Sequence, residues 1–136
     1  MSELPDTVAA AARILIVDDS EDNRELLKVI LNWAGYVIQT AASGEEALAS
    51  VAEAPPDLVL LDLILPGLSG CEVAVQMKAN PDTEGIPIIV ISGRSDEATR
   101  RLALSTGAID FITKPIARAD LCQRVRSALL LPAKSA

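Results

Sequence analysis

An α/β domain, with a doubly wound parallel sheet of five strands alternating with five helices, is the fold class this sequence predicts, and three observations carry it. The chain alternates five times between a short apolar run and a longer stretch of helical periodicity, without internal repeats. Alternation of that kind marks strands joined through helical crossovers. One run, Leu58-Val59-Leu60-Leu61, is aliphatic throughout and bounded by Pro55-Pro56-Asp57 and Pro66-Gly67, as expected of a strand buried on both faces. Half of the 136 residues are hydrophobic, yet only Trp33, Tyr36 and Phe111 are aromatic. The core must therefore be filled by Val, Ile, Leu and Ala, the usual content of a sheet packed between helices.

This length suits one domain, placed at residues 13–131 between a weakly patterned, alanine-rich tail at 1–12 and a short polar tail at 132–136. Strand one is Ile14-Leu15-Ile16-Val17, ending at Asp18-Asp19-Ser20. Its helix directs Leu27, Ile30, Leu31 and Ala34 inward, and Gly35 stops it. Strand two is about Tyr36 to Ala41; Ser43-Gly44-Glu45-Glu46 reads as a capping box for a helix that turns Ala47, Leu48 and Val51 inward. The aliphatic run is strand three and leads into Asp62. Ser69-Gly70-Cys71-Glu72 is a second capping box, followed by inward Val73, Ala74 and Met77 and the breaker Asn80-Pro81. Strand four, Ile88 to Ile91, ends at Ser92-Gly93. The fourth helix, about Asp96 to Ser105, is weakly amphipathic, because Arg100 and Arg101 interrupt an apolar face left to Ala98, Leu102 and Ala103. It is expected to be the least firmly packed. Strand five, Asp110 to Thr113, ends at Lys114-Pro115, and the last helix buries Leu121, Cys122, Val125, Ala128 and Leu129 before Leu131-Pro132.

The formal charge is −7 with no histidine, which argues against a phosphate-neutralising nucleic-acid surface and against His-based catalysis. Cys71 and Cys122 lack CxxC spacing, and no signal peptide or membrane-length apolar span is evident, so a cytoplasmic protein with reduced cysteines is expected and membrane insertion is not. Cys71, at a helix start where a thiol can be activated, reads as a small packing residue.

Parallel connection brings the strand endings Asp18-Asp19, Asp62, Ser92 and Lys114 to one edge of the sheet. In the flavodoxin-like strand order 2-1-3-4-5, strands one and three are neighbours, so Asp18, Asp19 and Asp62 surround one crevice. Three carboxylates so close call for a cation, and a few hard oxygen ligands with room for water and phosphate suit Mg²⁺. One carboxylate can then act as nucleophile toward a phosphoryl donor. The Lys114 ammonium and the Ser92 hydroxyl are suited to neutralise and hold the transferring group, and Gly93 leaves the approach open. Each residue singly admits a plainer role, as an N-cap, a loop hydroxyl or a solvated charge. The four complementary endings together favour the site.

These signatures, with Gly35-Tyr36, Ala42-Ser43-Gly44-Glu45-Glu46-Ala47-Leu48, Pro66 and Gly70, and Gly107-Ala108 leading to Phe111, resemble the response-regulator receiver domains of two-component signalling over nearly the whole chain. The resemblance implies that Asp62 accepts a phosphoryl group from a histidine kinase or phosphotransfer protein, that Asp18, Asp19, Asp62 and the backbone carbonyl of Ile64 hold Mg²⁺, and that Lys114 and Ser92 grip the phosphoryl oxygens. It also implies a cis Lys114-Pro115 peptide and a switch in which Ser92 moves toward the phosphoryl group and Phe111 turns inward, reshaping the face of the fourth helix, fifth strand and fifth helix. Ile64 and Arg94 flank the entry for hydrolytic water; an apolar Ile64 cannot orient that water, so a long-lived phosphoryl group is expected. Leu65 replaces the commoner Met of this loop, and Phe111 replaces the frequent Tyr.

The resulting expectation is a single-domain response regulator with only limited chemistry of its own at Asp62, signalling by contact with a downstream effector protein. Two other readings are a phosphorylation-independent adaptor on the same fold and an aspartyl-phosphate phosphohydrolase. The latter would want a second Asp two residues after its nucleophile, where Ile64 stands. Arg100, Arg101, Arg118 and Arg124, near the expected output face, could meet an acidic partner or a second copy.

Overall fold

The computed structural model describes residues 12–130; the stretches 1–11 and 131–136, with most of the expected N-terminal tail, the C-terminal tail and the Leu131-Pro132 ending, lie outside the described residues. In chain order the elements are β1 (Arg13–Val17), α1 (Glu21–Trp33), β2 (Val37–Ala41), α2 (Gly44–Glu53), β3 (Leu58–Asp62), α3 (Gly70–Ala79), β4 (Ile88–Ser92), α4 (Glu97–Ser105), β5 (Asp110–Thr113) and α5 (Arg118–Leu129). The sheet is parallel throughout, in the order β2-β1-β3-β4-β5. The five strands, five helices and strand order agree with the sequence expectation. Ala12 already joins the sheet edge, its carbonyl accepting from the Val37 amide at 2.9 Å.

Alternation along the strands divides the core in two. Leu15, Val17, Val59, Leu61, Val90 and Phe111 face one side with Val73 and Met77 of α3 and Ala103 of α4. Ile14, Ile16, Leu58, Leu60, Ile89 and Ile112 face the other, against Leu27 and Leu31 of α1 and Leu121 and Val125 of α5. β3 lies at the centre with every residue buried. Each of its fully buried aliphatic side chains contributes about 1.5–3 kcal/mol relative to exposure. That anchors the strand whose last residue is Asp62.

Helix ends follow the sequence in most places. Gly35 takes φ 103°, the left-handed conformation that ends α1, and the Ser69 box is complete, with Ser69 and Glu72 capping reciprocally. Four details differ from expectation. Ala34 is exposed, because α1 ends at Trp33 and Ala34 is already the cap leading into Gly35; buried Tyr36 covers that end of the core instead. The Ser43 box is half formed. The Ser43 hydroxyl accepts from the Glu46 amide, but the Glu46 carboxylate accepts from Ala42, one residue before the cap. The cap backbones differ in the same sense, with φ −149° at Ser43 and −74° at Ser69. In α4 both Ala98 and Leu102 are exposed and Ala103 is the one buried residue, so this helix buries little against the core. Arg124 is not a free surface charge. It bridges Asp110 at 2.6 Å and Asp120 at 2.9 Å and ties α5 to the start of β5.

Candidate functional site

The register places the reactive candidates together. β1 and β3 are neighbours with Val17 opposite Leu61, so the residues that follow, Asp18 and Asp62, sit side by side at the carboxyl edge. Both continue the parity of the α1/α5 face, as does Lys114 after Ile112. Asp18 is 2% and Asp62 6% exposed, whereas Asp19 is exposed. Each of the three offers one carboxylate oxygen to a group lying within 4.8 Å of one another.

Every polar arm of the buried pair is engaged. Asp18 Oδ1 accepts from the Ser20 amide at 2.9 Å, and its Oδ2 accepts from Lys114 Nζ at 3.3 Å and from Asn23 Nδ2 at 3.4 Å. Asp62 Oδ1 accepts from the Ile64 amide at 3.0 Å and its Oδ2 from Lys114 Nζ at 3.1 Å. Burial raises the Asp62 pKa above its ordinary value and the Asp18 charge adds to this, while the Ile64 amide and Lys114 pull the other way without cancelling it. For Lys114, burial works to lower the pKa, but the bonds and charges of Asp62 and Asp18 outweigh it and hold the ammonium protonated. The Lys114-Pro115 peptide is cis, as the resemblance implied. The pair thus combines a buried, desolvated carboxylate with a fixed cation, suited to nucleophilic attack on a phosphorus whose developing charge the lysine meets.

Among the described residues the Ser92 hydroxyl makes no hydrogen bond to that trio. Ser92 is fully buried, continues the parity of Val90 and Phe111 toward the α4 side, and its hydroxyl accepts from the Arg94 amide at 3.0 Å. Phe111 is buried against the same core as Ala103. Gly93 borders open space, as expected, and Ile64 is 67% exposed beside the carboxylates. Cys71 is half-buried against the core and burial raises its pKa, in keeping with a packing residue. Three residues not singled out for the site also shape it. Arg24 Nη1 donates to the Asp18 carbonyl at 2.7 Å, and Asn23 reaches the Asp18 carboxylate. Gly70 lies so close under the end of β3 that a Cβ there would overlap the Asp62 carbonyl oxygen and stand 2.8 Å from Leu63 Cα. The sequence signals were an Asn-Arg pair in the first turn of the helix after Asp18-Asp19, and a glycine at the first position of a helix, where other residues form helix better. A cleft of about 400 Å³ opens beside the site, walled by Leu26, Leu27, Pro115 and Ile116 with Asp18 and Lys114 on its rim.

The model of the response regulator receiver domain matches residues 14–126. The chain belongs to the response-regulator receiver family. Among receiver relatives it is 43% identical over 117 residues to the response regulator PleD of Caulobacter vibrioides, covering 86% of this chain and 26% of that protein. It is 40% identical over 116 residues to the phosphate regulon transcriptional regulatory protein PhoB of Pseudomonas aeruginosa, covering 85% of this chain and 51% of that one. A solved CheY-like receiver domain protein of Methanospirillum hungatei superimposes with a TM-score of 0.81 at 30% identity, over 88% of this chain and 94% of that one. The chain spans about a quarter to a half of the length of these curated relatives.

Receiver domains of two-component systems bind Mg²⁺ at an acidic pocket and interact with histidine kinases or phosphotransfer proteins. The receiver pocket here fits such a cation. Its donors are all hard carboxylate oxygens in mutual reach, and the carboxylate of Asp19 carries no hydrogen bond among the described residues. No described helix is long and apolar enough to cross a membrane.

Proposed function

We propose that Asp62 is the phosphoacceptor of a response-regulator receiver domain acting in the cytoplasm. The carrying observation is the buried Asp62 carboxylate with Lys114 Nζ at 3.1 Å on one oxygen and the Ile64 amide at 3.0 Å on the other. An Asp62 oxygen attacks phosphorus, the bond from phosphorus to the donor's imidazole nitrogen breaks, and an acyl phosphate on Asp62 remains. Lys114 stays protonated and meets the charge on the phosphoryl oxygens, with Asp18 holding it in place. Mg²⁺, held by Asp18, Asp19, Asp62 and the Ile64 carbonyl, supplies charge neutralisation of the phosphoryl group when bound. The apolar cleft beside Lys114 offers a seat for the histidine kinase or phosphotransfer protein.

Output follows through the face of α4, β5 and α5. Ser92 shares the side of the sheet occupied by Phe111 and Ala103, so a move of its hydroxyl away from the Arg94 amide and toward the phosphoryl group alters the packing beneath α4. α4 is suited to shift because only one of its residues is buried. A downstream effector protein reads the change. The domain's own catalysis is limited to gain and loss of the phosphoryl group.

Intact mass after incubation with acetyl phosphate and Mg²⁺ tests this. The wild type is expected to gain one phosphoryl group, and Asp62→Asn and the wild type in EDTA none. Addition that survives Asp62→Asn would place the acceptor elsewhere and defeat the proposal.

A further inference from the structure

We propose that Arg24 is a positioning residue for the cation pocket, holding the Asp18–Asp19 peptide so that the otherwise untethered Asp19 carboxylate points into it; this rests on the metal reading above. Asp18 lies one residue past the end of β1. Its amide is still paired, donating to the Ala41 carbonyl at 3.2 Å, but its carbonyl has passed the last rung of the ladder. Arg24 supplies the missing donor, with Nη1 at 2.7 Å. Arg24 is itself fixed from behind, because its amide closes the first turn of α1 on the Ser20 carbonyl at 3.0 Å.

That carbonyl belongs to the peptide that leads into Asp19. The Asp18 carboxylate is held independently by Ser20, Asn23 and Lys114, whereas that of Asp19 is exposed and carries no hydrogen bond among the described residues. The direction in which the Asp19 side chain leaves the backbone is therefore set by the peptide plane that Arg24 grips. The location of Arg24 supports a specific role. The start of a helix favours anions, and Glu21 and Asp22 occupy it here; a cation in the same turn goes against that preference and is explained by the bond it makes.

Positioning and simple electrostatics predict opposite signs. Removing a positive charge beside a cation site tightens cation binding by Coulomb's law, whereas loosening a ligand's support weakens metal affinity, by about 10- to 100-fold in comparable cases. A titration with MgCl₂ at constant ionic strength, followed by the amide NMR signals of Asp19 and Ile64, reads the difference without phosphorylation. Arg24→Met is expected to raise the Mg²⁺ dissociation constant by about 10-fold or more, with Arg24→Lys falling between it and the wild type. If Arg24→Met loses the native spectrum, Arg24→Gln takes its place with the same expectation. Unchanged or tighter binding in a natively folded variant overturns the positioning role alone. A wild type that shows no Mg²⁺ binding overturns the metal reading and this inference with it.

Discussion

Gly70→Ala isolates the contact that joins the end of β3 to α3. A Cβ at this position would overlap the Asp62 carbonyl oxygen and stand 2.8 Å from Leu63 Cα, both backbone atoms that cannot rotate aside. Restoring ordinary contacts requires a retreat of about 0.7–1.2 Å. Overpacking of this kind costs about 1–3 kcal/mol, and contact with backbone alone puts Gly70 near the upper figure. Replacing a glycine of ordinary φ by alanine returns about 0.4–1 kcal/mol through the unfolded chain, which leaves a net loss of about 2 kcal/mol. With a urea m-value of about 2 kcal/mol/M the midpoint falls by about 1 M. The retreat displaces Asp62 itself, and a misplacement of about 1 Å can lower a reaction rate about 100-fold, so phosphorylation by acetyl phosphate should slow to a comparable degree while the protein remains folded. Gly85, where a Cβ meets nothing within 4 Å, is the control; Gly85→Ala should hold or raise the midpoint and leave phosphorylation unchanged. A Gly70→Ala midpoint and rate equal to those of the wild type would refute the close-approach argument.

Two further outcomes follow from Asp62 and its neighbour. The Asp62 pKa is raised from its ordinary 3.8 by burial first and by the Asp18 charge as well, so its protonated form favours the fold, and that contribution is lost as pH rises through the raised value. In Mg²⁺-free buffer Asp62→Asn, which does not titrate, should be the more stable protein at pH 7 by about 0.5–2 kcal/mol. The gap should close as pH falls to the ordinary carboxylate range; a gap that is the same at acid and neutral pH in urea titrations would contradict the burial argument. Ile64 is 67% exposed beside Asp62, the proposed phosphoacceptor, and offers no side-chain group to orient water, so Ile64→Asn should shorten the lifetime of the phosphoryl group, measured by decay of the mass increment after removal of the donor. Equal decay in the two proteins would remove Ile64 from the explanation.

Most of the fold was legible because its signals are local. The aliphatic runs, the turn residues after them and the capping serines each state a strand, a helix start or a stop within a few residues, and the handedness of parallel connections narrows the topologies left, among which the flavodoxin-like order is the one observed. The candidate site was legible for the same reason: Asp18, Asp19, Asp62, Ser92 and Lys114 each end a strand or follow one directly, and one sheet edge gathers them. The misreadings lie where a local pattern does not say which way a residue turns. Ala34 fits the helical spacing but falls in the cap, and Ala98 and Leu102 fit an apolar face that α4 turns outward.

The sequence by itself determined the five strands, the five helices and the polar residues that end the strands, because side-chain alternation and strand ends are short-range properties carried by the residues in sequence. Only the tertiary structure decided the contacts that bridge distant elements. It put Lys114 against both Asp18 and Asp62, engaged the Ser92 hydroxyl with the Arg94 amide, closed Gly70 onto the Asp62 carbonyl, and bound Arg124 between Asp110 and Asp120. Such contacts depend on how strands twist and helices settle on the sheet, where a shift of about 1 Å makes or breaks a hydrogen bond, and no periodicity in the chain encodes that distance.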